Sequence, residues 1–86
     1  MAGETLTVTG GPDAGKAIAV ADVIALGRHA ENDLVLTDPA ASRRHARLVR
    51  RGAGLFLEDL DSAHGTRVNG ELIKSRELRP GDLVEL

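Results

Sequence analysis

The sequence predicts an all-β sandwich, and three observations predict it. Strand-like bursts of four to six residues recur with a turn every 8–12 residues, the spacing of a sandwich. No window longer than ten residues escapes Gly and Pro while keeping a 3.6-residue apolar stripe, so no helix is expected. Asn69-Gly70 stands between Arg67-Val68 and Glu71-Leu72. A type I′ hairpin turn needs positive φ at both central residues, and Asn-Gly adopts that readily.

Each element follows in order. Leu6 and Val8 alternate with Thr5, Thr7 and Thr9, the two-residue period of a strand with one face buried. Gly10-Gly11-Pro12-Asp13 breaks this run, and Ile18 and Val20 resume the alternation. Val23–Leu26 and Leu34–Leu36 form two further bursts, separated by Glu31-Asn32-Asp33 and closed by Asp38-Pro39. His45–Val49 and Leu55–Leu60 flank Gly52-Ala53-Gly54. Leu72–Ile73 returns from the Asn69-Gly70 turn, and Leu83–Leu86 follows Pro80-Gly81.

The chain has 86 residues, room for one domain over 1–86, and 42% of them are hydrophobic. One Phe and no Tyr or Trp imply an aliphatic core and argue against base stacking. A formal net charge of −2 gives no general attraction for nucleic acid or membrane surfaces. The absence of Cys excludes disulfides and thiolate metal sites. No apolar run approaches the roughly 20 residues of a membrane span. A small cytoplasmic module with no membrane insertion is therefore expected. Two Lys among 11 basic residues, with abundant Ala, Gly and Arg, point to a GC-rich bacterial source.

Several motifs suggest chemistry. Gly10–Lys16 has the G-x-x-x-x-G-K spacing of a phosphate-binding loop, but Ala17 replaces the metal-binding hydroxyl and a strand follows where a helix is required. It reads as a Gly-rich turn. His29, His45 and His64, spaced by 16 and 19, fit no metal-ligand pattern, so no metal or cofactor is expected. Ser42 with His45 lacks the nucleophile elbow of a hydrolase, and no enzyme activity is expected. Five of the nine arginines lie between Arg43 and Arg51, but strand alternation divides them among faces, and Arg47, Arg50 and Arg51 read as a solvated strand face.

The informative pattern is dispersed over strand ends: Gly27-Arg28, Ser42-Arg43-Arg44-His45, Asp59 to Thr66, Val68-Asn69-Gly70 and Leu78 to Asp82. An Arg fork, a Ser hydroxyl and loop N–H groups are the parts of an anion site. These elements resemble, in order and from about Leu6 onward, the forkhead-associated (FHA) domain. By that resemblance Arg28, Arg43 and Arg44 would concentrate positive charge at one loop end of an acidic protein. The resemblance implies a sandwich of two mostly antiparallel sheets and about ten to eleven short strands, binding phosphothreonine peptides through loops at one end. It implies phosphate contacts from Arg28 and Ser42 and a further one from Arg43. It assigns a bracing role to buried His45, and support of the binding loops to Gly27, Gly65, Thr66, Asn69 and Gly70.

Two positions depart from the family pattern. His64 stands where an Asn usually grips the peptide backbone, and an imidazole can make the same bonds. Ala63 stands where a polar side chain is common, which removes one hydrogen bond to phosphate. Against the family pattern the last strand is expected to be absent after Leu83–Leu86, with an open edge. The implied partner is a protein phosphorylated on Thr, such as a Ser/Thr kinase or its substrate, with no nucleic acid. The alternative is a structural interaction module of the same fold that has lost phosphate dependence. Ala40 and Ala41 in the loop before Ser42 suggest a small or aliphatic preference near the phosphothreonine.

Overall fold

Strand alternation on either side of Gly52-Ala53 generates the central hairpin. In the computed structural model, which describes residues 5–86, β5 (Ala46–Arg51) and β6 (Gly54–Asp59) pair antiparallel, with Leu48 opposite Leu57 and Val49 opposite Phe56. Ala46, Leu48, Leu55 and Leu57 are buried, while Arg47 between them is exposed. β3 (Val23–Gly27) adds antiparallel to β5 with Ile24 opposite Leu48. The short β4 (Leu34–Val35) lies parallel to β3, and β9 (Ser75–Leu78) lies antiparallel to β6. The order of this five-stranded sheet is β4-β3-β5-β6-β9.

The second layer has two pieces. β1 (Thr5–Thr7) pairs with β2 (Ala17–Ala19), and a second sheet has β7 (Thr66–Val68) in the middle of the order β10-β7-β8, between β8 (Glu71–Ile73) and β10 (Val84–Glu85). The pieces meet at one bridge, Val8 to Val84, reinforced by the Thr9 N–H donating to the Val84 carbonyl at 2.8 Å. Leu6, Val8, Val68 and Val84 join Ile24, Leu26, Leu48 and Leu57 in one aliphatic core. A cleft of about 560 Å³ is walled by both layers, with Leu6, Val20 and Val84 facing Leu55 and Leu78 of the five-stranded sheet among its lining.

The fold is the expected helix-free sandwich, with ten strands among the described residues. Asn69 and Gly70 have φ of 53° and 83°, as the type I′ turn requires. Leu83–Leu86 does yield a strand, β10, which pairs with β7. β9 was not among the expected bursts. Its sequence Ser-Arg-Glu-Leu has a single apolar residue, and what recruits it is the edge of β6, where Leu78 lies opposite Leu55. The arginines of β5 lie near carboxylates: on the outer face Arg47 and Arg51 reach Glu58 at 2.6 and 2.9 Å, while Arg50, across from Leu55 on the other side of the strand, lies 3.8 Å from Asp22.

Gly10–Lys16 forms the tight turn between β1 and β2, and it conceals a brace. Asp13 is buried and accepts the Thr37 N–H at 2.8 Å, the Thr37 hydroxyl at 2.7 Å and the Asp38 N–H at 3.0 Å, while Lys16 Nζ lies 2.9 Å away. This ties the turn to the start of the loop that leads to Ser42. Burial disfavours the Asp13 carboxylate, but those donors outweigh it and hold its pKa far below the usual range. A depressed folded-state pKa contributes stability above the unfolded value and loses it as pH falls. Asp13→Asn is expected to cost on the order of 1–3 kcal/mol at pH 7. In denaturant titrations the wild-type and variant stabilities converge as pH falls below about 4. A pH-independent gap would contradict the brace.

Candidate functional site

Three connections meet at one end of the sandwich: residues 28–33 after β3, 36–45 before β5 and 60–65 after β6. The first two are zipped together by backbone. Arg28 N–H donates to the Ser42 carbonyl at 3.0 Å and His29 N–H to the Arg43 carbonyl at 3.2 Å. Asn32 Nδ2 closes the zip, donating to the His29 and Arg43 carbonyls at 2.8 Å each. The chains approach so closely that a Cβ on Gly27 would strike the Arg43 carbonyl oxygen. That is why a Gly precedes Arg28.

His45 joins the second and third connections. It is fully buried, its Nδ1 accepting the Ser42 N–H at 3.2 Å and its Nε2 donating to the Gly65 carbonyl at 2.8 Å. An amide N–H only donates and a carbonyl only accepts, so both partners are met by the neutral Nε2–H tautomer. Gly65 holds φ of +84°, and its open face lies against Leu72 Cδ1. Behind it, Asp59 accepts from the Ser62 N–H at 3.2 Å, the Ser62 hydroxyl at 2.5 Å and the buried Thr66 hydroxyl at 2.7 Å. Burial opposes charge on Asp59, but these donors outweigh it and lower its pKa.

The frame presents two aimed groups. Arg28 Nε donates to the Ala41 carbonyl at 3.0 Å, which fixes the guanidinium plane. The Arg28 Nη groups have no acceptor among the described residues. Ser42 Oγ accepts the Ala63 N–H at 2.9 Å, so its own proton is left to donate outward. Ala63, expected as a missing side-chain contact, thus contributes through its backbone. His64 is exposed in the same loop. Among the described residues no carboxylate lies within ion-pair distance of Arg28, Arg43 or Arg44. A planar fork, a hydroxyl donor and uncompensated positive charge can hold a tetrahedral oxyanion.

The structure therefore brings together Arg28, Ser42, His45, Gly27, Gly65 and Thr66. Arg43 lines a neighbouring cleft with His29, Glu31 and Arg44. Asn69 and Gly70 serve another part of the fold. The Asn69 side chain donates to Asp82 and accepts the Leu83 N–H, both at 2.9 Å, clamping the entry to β10. Asn32 was not anticipated as a support, its sequence signal being only an Asn inside a turn, and Asp59 opened the Asp59 to Thr66 element without a role of its own. Among the described residues no group of three or more His, Cys, Asp or Glu could hold a metal, and no helix is long and apolar enough to cross a membrane.

A rigid sandwich with an anion-ready loop cluster defines a recognition module, in which loops on a fixed scaffold carry the binding. The FHA domain model matches residues 24–86, and the chain belongs to that family. The oxoglutarate dehydrogenase inhibitor of Corynebacterium jeikeium is 38% identical over 82 residues, which cover 94% of this chain and 57% of that protein. The glycogen accumulation regulator GarA of Mycolicibacterium smegmatis is 37% identical over 94% of this chain and 52% of its own. This chain thus spans about half the length of these relatives. Mycobacterium tuberculosis EmbR, solved with a low-affinity phosphopeptide, superposes with a TM-score of 0.79 at 32% identity, covering 84% of this chain and 20% of EmbR. A domain solved in a study of phosphothreonine-dependent FHA interactions gives a TM-score of 0.82 at 29% identity, over 94% of this chain and 83% of that one.

His45→Ala orphans the Ser42 N–H and the Gly65 carbonyl and leaves a cavity. It is expected to cost on the order of 2–4 kcal/mol in denaturant titrations. A cost below about 1 kcal/mol would show that the two loops do not depend on the imidazole.

Proposed function

We propose that this chain is a non-catalytic signalling module, working in the cytoplasm, that binds proteins phosphorylated on threonine. Arg28 grips the phosphate through its Nη groups, and the Ser42 hydroxyl donates a second bond. Arg43 adds positive charge, and His64 faces the peptide backbone beside the phosphothreonine. Gly27, His45, Gly65 and Thr66 keep these groups in place before the ligand arrives, which reduces the ordering cost of binding. The partner is a Thr-phosphorylated protein, either a Ser/Thr kinase or a kinase substrate.

The observation that carries this reading is the preset pair at the loop end: a guanidinium fixed by the Ala41 carbonyl and a hydroxyl fixed by the Ala63 N–H. An unphosphorylated peptide offers no dianion for these donors. Two comparisons support the reading, because EmbR was solved with a phosphopeptide and another neighbour comes from work on phosphothreonine-dependent interactions.

Calorimetric titration with matched phosphothreonine and unmodified peptides tests it. The phosphorylated peptide binds and the unmodified one does not. Arg28→Ala weakens binding by about 1.5–3 kcal/mol, roughly ten- to a hundredfold, and Ser42→Ala by about 1 kcal/mol. Equal affinity for both peptides, or binding that survives Arg28→Ala, would overturn the reading in favour of a phosphate-independent interaction module.

A further inference from the structure

The cleft beside the Arg28–Ser42 pair has a composition that the phosphothreonine reading does not use. It has a volume of about 450 Å³ and is lined by His29, Glu31, Arg43 and Arg44. The backbone zip that sets Arg28 against Ser42 continues one residue further, setting His29 against Arg43, with Asn32 holding both carbonyls. The cleft therefore begins one residue beyond the phosphate donors, on the same two connections.

Its charge is unusual for this molecule. The arginines of β5 each have a carboxylate: Glu58 serves Arg47 and Arg51, and Asp22 lies 3.8 Å from Arg50. Arg43 and Arg44 are adjacent and exposed, and no described carboxylate lies within ion-pair distance of either. Glu31 is the only acid lining the cleft, and its backbone, not its carboxylate, is bonded to His29. The Glu31 N–H donates to His29 Nδ1 at 3.1 Å, and its carboxylate lies 4.0 Å from the same nitrogen. The positive end of the cleft is thus the Arg43–Arg44 end, and Glu31 repels an anion from the other. Like charges side by side without an internal counterion are relieved by an anion from outside.

We propose that this cleft takes a second anionic side chain of the same phosphorylated peptide, and that Arg44 is the residue that selects it. The proposal rests on the phosphothreonine reading of Arg28 and Ser42. The required chemistry is a side-chain oxyanion, either the carboxylate of Asp or Glu or the phosphate of a second phosphorylated residue. Reach sets its place. Ser42 and Arg44 are two residues apart, a span of at most about 7 Å, which an extended peptide covers in about two residues. In an extended peptide, side chains two positions apart also lie on one face. The second anion is therefore expected about two residues from the phosphothreonine.

The test is a set of phosphothreonine peptides with neutral flanks, in which Glu is scanned over three positions on either side, and a parallel set with phosphoserine at those positions. Each is titrated at low salt against the wild-type protein and Arg44→Ala. One position within three residues is expected to gain roughly three- to tenfold in wild type, and Arg44→Ala abolishes that gain. Arg44→Ala is expected to weaken the singly phosphorylated peptide by about fivefold at most, the general effect of losing one nearby charge, so the subsite is read from the gain of each second anion over that peptide on the same protein. A gain with both sets supports a general anion subsite, and a gain with phosphoserine alone supports a second phosphate. No gain at any position, or a gain that persists in Arg44→Ala, overturns the subsite while leaving the phosphothreonine reading intact. Failure of the singly phosphorylated peptide to bind wild type overturns that reading and the subsite with it.

Discussion

The loop end depends on one buried imidazole shared between two backbone groups of opposite character. His45 takes a proton donor from Ser42 on one nitrogen and gives its own proton to the Gly65 carbonyl on the other. In water each of those backbone groups would be satisfied by solvent. Here the fully buried ring meets both, so the two loops stay at the separation the ring dictates. The other contacts of the site follow from that separation. With the third connection held by its Gly65 carbonyl, the Ala63 N–H reaches Ser42 Oγ. With Ser42 held, its carbonyl takes the Arg28 N–H and Ala41 takes Arg28 Nε. The donors are thus aimed by the scaffold before any ligand is present.

Much of this was legible in the sequence, for identifiable reasons. The period-2 alternation of Leu6 and Val8, of Ala46 and Leu48, and of Leu55 and Leu57 is dictated by the pleat and survives into the buried face. Asn69-Gly70 was readable because few other pairs tolerate positive φ twice in succession. The order of Gly27-Arg28, Ser42 to His45 and Asp59 to Thr66 carried the family likeness, and the family model covers residues 24–86. β9 was not legible, because an edge strand is defined by its partner more than by its own residues. The brace from Asp13 to Thr37 joins residues 24 apart in sequence, and nothing local marks that carboxylate as buried. The side of Arg43 was also hidden. The resemblance gave it a phosphate contact beside Ser42, and its side chain also lines the next cleft.

Charge shows why a single number for the whole chain misleads. The formal net charge is −2, and the arginines of β5 have carboxylates nearby, Glu58 for Arg47 and Arg51 on the outer face and Asp22 at 3.8 Å from Arg50. The loop end differs, since Arg28, Arg43 and Arg44 lack carboxylate partners among the described residues. Under the proposed function, this contrast between two arginine groups on neighbouring segments separates a structural use of the residue from a recognition use. An aliphatic core with a single aromatic residue is compatible with that division. The core supplies rigidity, and hydrogen-bonded loops supply the chemistry.

The central claim is that the recognition surface is the loop end held together by His45, not a sheet face. Backbone amide chemical shifts followed during titration with a phosphothreonine peptide test it most directly. The account predicts that the largest changes fall on Arg28, Ser42, Arg43, Ala63, His64 and Gly65, with the amides of Val23, Val49 and Phe56 unmoved. Changes concentrated on that outer sheet face, with Arg28 and Ser42 silent, would contradict it.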